Sequence, residues 1–268
     1  MSPVIEKKKE AAMAGNKKLE ELKEKLVTMA KKVYQGPWEV GKFSKDERAN
    51  EIINNIHKMP HVFVIACLLG RQFHDEKAWE TLARLEERIG TLDIKKLSRL
   101  TLKDWENAFI KPTPLHGFPR EMAPFAMAAV ERIMREYGGD AARLWSDNPS
   151  SATVIKRFLE FEGIGQKIST MAVNILVRYF KIPMSDCYSV EVTVDGRMKR
   201  VLSRMGIVDS TKPKYIQLTV REMYPKYPGI FDPVFWEIGK FYCFTAQPNC
   251  GQCPANELCL YSQEHPQK

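Results

Sequence analysis

Cys243, Cys250, Cys253 and Cys259 follow the spacing C-x6-C-x2-C-x5-C, which places four thiols within seventeen residues. Thiols so close in sequence can converge on one metal centre. A disulfide pair is the first alternative, but the leading residues do not read as a secretory signal, and a reducing compartment disfavours structural disulfides. Zinc is the second. Any four thiolates can hold it, yet structural zinc sites usually pair two short C-x2-C hooks, and only Cys250 and Cys253 form one. Uneven arcs between thiolate ligands also suit a cubane [4Fe-4S] cluster, whose corners each take one cysteine. Spacing favours the cluster and leaves zinc open. Cys67 and Cys187 fall outside the set and read as ordinary thiols.

A second group of residues is built around glycine. Ala152 to Phe161 read as a helix, the run Glu162-Gly163-Ile164-Gly165 breaks it, and Ile168, Met171, Ala172, Ile175, Leu176 and Tyr179 resume one apolar face. Gly163 suits a left-handed position, and Gly165 lets the backbone approach a ligand while leaving free N–H groups at the start of the second helix. Such a turn favours a phosphate. Two packed helices joined by glycines is the plainer reading of the same residues. Lys167 stands in the first turn of the second helix, where the positive end of the helix dipole opposes a cation, so its amine is a candidate nucleophile. An exposed lysine that touches a phosphate or nothing fits as well. Asp195 precedes the helical stretch Gly196 to Met205, where a carboxylate is a good N-cap in any protein. Arg197, Lys199 and Arg200 follow it on or near that helix.

These residues need a scaffold, and nearly every segment of the 268-residue chain is helical in period. Leu19, Leu22, Leu26, Met29, Ala30 and Val33 stripe a lysine-rich helix. Val62 to Leu69 are apolar all round, as in a buried helix. Met122, Phe125, Ala126, Ala129 and Ile133 form a stripe stopped by Gly138-Gly139. A proline-punctuated loop from Ile110 to Pro119 is a candidate substrate-facing segment. Tyr188 to Val194 alternates and reads as one short strand or an extended connector; one strand makes no sheet. The expectation is an all-α, bilobed protein with linker-like boundaries near Trp38 to Ser44 and Ile182-Pro183. No apolar run approaches a membrane span, and the first residues mix lysine with glutamate, unlike a transit peptide, so a soluble, cytoplasmic protein is expected. A net charge of +8 points to an anionic partner, most simply nucleic acid, although excess lysine also serves solubility.

Three segments now stand in a telling order. Phe161 to Lys167, then Val194-Asp195-Gly-Arg-Met-Lys-Arg-Val201 with Arg204-Met-Gly206, then the Cys243 to Cys259 loop, resemble consecutive hallmarks of the endonuclease III family of helix-hairpin-helix DNA glycosylases. The resemblance runs from about Pro60 onward. It implies two α-helical domains flanking a DNA-binding cleft: a six-helix barrel carrying the hairpin, at 59–183, and a domain with the catalytic aspartate and a [4Fe-4S] cluster, at 184–268, with 1–58 packing partly on the latter. It implies Cys243, Cys250, Cys253 and Cys259 as cluster ligands, Asp195 as the essential carboxylate, and Lys167 at the Schiff-base position of members with lyase activity. Leu68-Leu-Gly-Arg-Gln72 resembles the helix end where the family places a gap-filling glutamine. Two departures stand out. Lys181 to Thr193 carries an insertion between Lys167 and Asp195, so that Asp186 lies nearer the usual distance, but only Asp195 is followed by the D-x-x-x-x-R-V run. The acidic residue of adenine-mismatch glycosylases is replaced by Cys67, which disfavours adenine-oxoguanine repair.

The implied chemistry is excision of a damaged base from double-stranded DNA by a monomer, in the nucleoid if the source is prokaryotic. Breaking an N-glycosidic bond builds positive charge on the sugar, which Asp195 would stabilise. Flipping the base requires a side chain to fill the gap, and Gln72 with a residue between Leu115 and Phe118 are the candidates. His116 and Arg120 are candidate lesion readers, and Gly163, Gly165, Arg197 and Lys199 candidate contacts to the DNA backbone. A monofunctional alkyl-purine glycosylase on the same scaffold, and a non-catalytic iron-sulfur DNA-binding or redox-sensing protein, stay open beside this reading.

Overall fold

The computed structural model describes residues 3–36, 43–71 and 75–266, with side chains from residue 15 onward except at 75 and 76. Part of the boundary expected at Trp38 to Ser44, and the side chains of the lysines at 7, 8 and 9, lie outside that description. Thirteen α-helices run through the described residues, with no strand among them. They are α1 (Pro3–Gln35), α2 (Glu47–Asn54), α3 (Pro60–Leu69), α4 (Asp75–Ile89), α5 (Ile94–Leu97), α6 (Leu102–Ile110) and α7 (Pro119–Tyr137), then α8 (Ser151–Leu159), α9 (Gln166–Arg178), α10 (Gly196–Arg204), α11 (Pro213–Met223), α12 (Asp232–Phe241) and α13 (Leu260–Glu264). The alternating stretch from Tyr188 is an extended connector. Val190 and Val192 are buried there, which accounts for its period of two without any ladder.

The chain divides into two compact units: residues 38–186, and residues 1–37 together with 187–268. In the first, α3 is the centre. All ten of its residues are buried, Pro60 occupies its first position, and α4, α7 and α9 pack around it. Phe63 meets Trp145, Phe158 and Phe180 edge-on at centroid distances of 5.9, 6.4 and 5.6 Å. Each buried ring or aliphatic side chain of this kind stabilises by about 1.5–3 kcal/mol, so α3 is fixed by apolar packing and needs no side-chain cap. α7 stops where the sequence says it should, at Gly138 with φ +62°.

In the second unit α1 packs against α12 and the 3-10 turn Pro228–Phe231, burying Leu22, Leu26 and Ala30 completely. α10 crosses α12 at Gly239, where a Cβ would come within 3.1 Å of the Arg197 Cβ. The missing side chain brings the two helices close and sets α10 against the start of the cysteine loop.

Candidate functional site

The glycine turn between α8 and α9 is held by its neighbours. Gly163 has φ +85°, and a Cβ there would lie 2.8 Å from Leu68 Cδ1 and 2.9 Å from Phe125 Cδ2. Conformation and space therefore both demand glycine. Gly165 is different: it is the N-cap of α9, exposed, with nothing within 4 Å of its would-be Cβ. It carries no side chain to accept from the first amides of α9, which are left for water or an anion. Lys167 follows on the exposed surface.

One further segment meets this turn, and a second is tied to it in series. Arg71, just past α3, donates Nη1–H to the Gly163 carbonyl at 3.5 Å and lies 5.5 Å over the Phe125 ring. Its own carbonyl accepts from His116 Nε2 at 2.9 Å, and His116 Nδ1 accepts from the Phe118 amide at 3.0 Å. The second bond fixes the proton on Nε2. Burial holds the His116 pKa below its ordinary value despite the backbone carbonyls that favour the cation. The proline-rich loop is thus latched to the end of α3 through one neutral imidazole. Arg88 grips its other end, donating to the carbonyls of Ala108 and Thr113 at 2.7 and 2.8 Å.

This geometry sorts the loop candidates. Leu115 and His116 are 2% and 3% exposed, so in this conformation neither offers surface to a ligand. Leu115 turns inward because its amide bonds the Phe109 carbonyl at 2.9 Å and draws the loop onto α6. Phe118, at 46%, is exposed, as is Arg120. Gln72 lies outside the described residues. The roles of Arg71 and Arg88 were not legible in the sequence, since arginines that bond to distant carbonyls leave no local pattern.

The second unit carries the carboxylate. Asp195 caps α10: its Oδ1 accepts the Met198 amide at 2.8 Å, and the residue is half-buried. Asp186, the rival by spacing, accepts from the Ser151 hydroxyl at 2.7 Å and is tied to the start of α8 in the first unit. On α10, Arg197 is exposed and Lys199 half-buried, whereas Arg200 turns inward, donating to the carbonyls of Cys243 and Gly239 at 2.8 and 3.3 Å. Asp195 and Lys167 therefore belong to different units.

Cys243, Cys250, Cys253 and Cys259 line one small cavity, walled by Val201, Met205 and Ile238. Burial pushes the Cys253 thiol up to about 11, and the other three cysteines push it the same way. Cys259 is raised for the same reasons. Four thiol side chains lining one cavity are a donor set of the kind that takes a thiolate-bound metal. Among the described residues, no three His, Cys, Asp or Glu side chains converge on a single metal ion. Cys67 is wholly buried, and desolvation alone raises its thiol.

The described residues thus form two all-helical units, one carrying the glycine hairpin and the other the capping aspartate. No family model matches the chain. It is 24% identical to endonuclease III of Synechocystis sp. over 234 residues, spanning 82% of this chain and 95% of that one. It is 26% identical to thymine-DNA glycosylase of Aeropyrum pernix over 154 residues, 54% of this chain and 60% of the other. Endonuclease III of Bacillus subtilis gives 23% over 156 residues, 57% of this chain and 61% of its own length. Among solved structures, a non-covalent endonuclease III-DNA complex superposes with a TM-score of 0.54 at 20% identity, covering 81% of this chain and 94% of that one. A thermostable thymine-DNA glycosylase superposes at 0.56 and 15% identity, covering 94% and 99%. The chain is endonuclease III-like in sequence and in fold. Among the described residues no helix is long and apolar enough to cross a membrane.

Proposed function

We propose that this protein is a DNA glycosylase of base excision repair, which extrudes a damaged base from double-stranded DNA and cleaves its N-glycosidic bond. The observation that carries the reading is Asp195, a half-buried carboxylate set by its own N-cap bond at the start of α10 in an endonuclease III-like fold. One oxygen is spent on the Met198 amide. The other is free to stabilise positive charge developing at C1′ as the bond to the base stretches, the kind of preorganised electrostatic help that is worth about 10²–10³ in rate. The electron pair of the broken bond leaves with the base, which takes a proton, and water or an amine adds to C1′.

In the first unit, the amides at Gly165 and the start of α9 hold a backbone phosphate, and Lys167 supplies the amine. Attack by the Lys167 amine displaces the base. Ring opening then gives an imine, and loss of a C2′ proton expels the 3′ phosphate, which adds lyase activity. Gln72 and Phe118 are the candidates to fill the vacated stack, with Leu115 and His116 holding the loop from beneath. Arg197 and Lys199 meet flanking phosphates, which position the duplex without reading sequence. Cys243, Cys250, Cys253 and Cys259 hold a [4Fe-4S] cluster, whose part is to shape the loop between them; no step of base release passes through it.

The substrate is a lesion in duplex DNA. The test is a panel of single-lesion duplexes spanning oxidised pyrimidines, deaminated bases, alkylated purines and etheno adducts. Release of at least one base with multiple turnovers is the expected result. Binding without release across the whole panel would leave a non-catalytic DNA-binding protein in its place.

A further inference from the structure

Arg204, the last residue of α10, reaches both ends of the cysteine loop. Its Nη1 donates to Cys243 Sγ at 3.4 Å and to the Phe244 carbonyl at 2.6 Å, and Nη2 donates to the Thr245 carbonyl at 2.9 Å. Its guanidinium also lies 4.7 Å over the ring of Tyr261, two residues beyond Cys259. The Cys259 Sγ in turn lies 3.5 Å from the Arg204 carbonyl. Among the described residues no carboxylate pairs with Arg204. Its charge is thus directed at a sulfur and two carbonyls. Arg200 bonds only main-chain oxygens of the same region, so the sulfur contact distinguishes Arg204 from its neighbour.

We propose that Arg204 is the positioning residue of this metal site. Its forked donors fix the backbone just after the first ligand, its aromatic contact pins the far end, and its N–H group orients the Cys243 sulfur. A planar fork can satisfy two carbonyls and a sulfur at once, which a lysine ammonium on a flexible stem cannot. Groups that hold a ligand in place commonly govern metal retention as strongly as the ligands do. The inference rests on the four cysteines being ligands, and its test separates the two ideas.

Wild type, Arg204→Gln and Arg204→Lys, purified without oxygen, are compared for metal per chain, visible absorbance, rate of metal loss to a chelator, and midpoint potential. Far-UV helicity monitors folding. The expected result is loss of metal about 10- to 100-fold faster in both variants, with the potential shifted negative in Arg204→Gln and partly restored in Arg204→Lys, because donors and positive charge at the sulfur favour the reduced centre. A merely structural residue would not move the potential with its charge. If Arg204→Gln fails to fold, Arg204→Lys alone carries the retention comparison. Metal-loaded wild type with variants of equal retention and potential overturns the role of Arg204 and leaves the ligands standing. Wild type devoid of metal after anaerobic purification overturns the ligand assignment, and the inference falls with it.

Discussion

Single residues carry distinct and separable duties here. Lys167 is exposed and lies in the first turn of α9. Borohydride reduction on DNA with an abasic site therefore traps a covalent complex with wild type and none with Lys167→Ala, while base release persists if water suffices as the nucleophile. Trapping undiminished in Lys167→Ala would assign the amine elsewhere. His61 and His116 are both held below their ordinary pKa by burial, and each bonds a backbone carbonyl. A histidine kept neutral in the fold takes up a proton more readily once unfolded. Its contribution is complete above the unfolded value, near pH 6.5, and is lost as pH falls below it. Thermal unfolding should accordingly move to lower temperature between pH 7 and pH 5, and His116→Gln should flatten that slope while lowering stability at pH 7.5. An unchanged slope in the variant would remove His116 from the account.

At the scale of elements, the hairpin turn is the most constrained feature. Gly163→Ala meets both a positive φ and two close carbon atoms, so a loss of roughly 2 kcal/mol or more is expected in urea unfolding. Gly165→Ala meets open space, and its loss should be smaller, seen in weakened DNA binding rather than in the urea midpoint. Equal destabilisation by the two would contradict the turn geometry. The turn, the buried α3 and the α7 stop at Gly138 were legible because glycine and the 3.6-residue period act locally. Asp195 as an N-cap was legible for the same reason. The inward turn of Leu115 and His116 was not. It depends on the Phe109 and Arg71 carbonyls, which reach the loop only once α3, α6 and α7 have packed. The alternating connector at Tyr188 to Val194 mimics a strand because Val190 and Val192 are buried while Ser189 before them and Thr193 beyond them are not.

The whole molecule adds charge and long-range assembly. α1 packs with α12, joining the first residues to the last in one unit, and periodicity cannot announce such a partnership. The cysteine spacing was visible, but the arginines that hold its loop, Arg200 and Arg204, emerge only from the crossing of α10 and α12 at Gly239. A net charge of +8 predicts DNA affinity that falls steeply with salt. Arg197→Ala and Lys199→Ala should each reduce the salt slope by about 1 if each contacts a phosphate, with similar losses on lesion and undamaged duplexes. A lesion-selective loss would instead place that residue at the extruded base. The most direct test of catalysis is base release by Asp195→Asn under single-turnover conditions, with duplex affinity measured in parallel, on a lesion that wild type excises. Asparagine keeps the cap on α10 and removes the negative charge. The account predicts excision slower by about 10²-fold or more with binding retained; excision at the wild-type rate would contradict it.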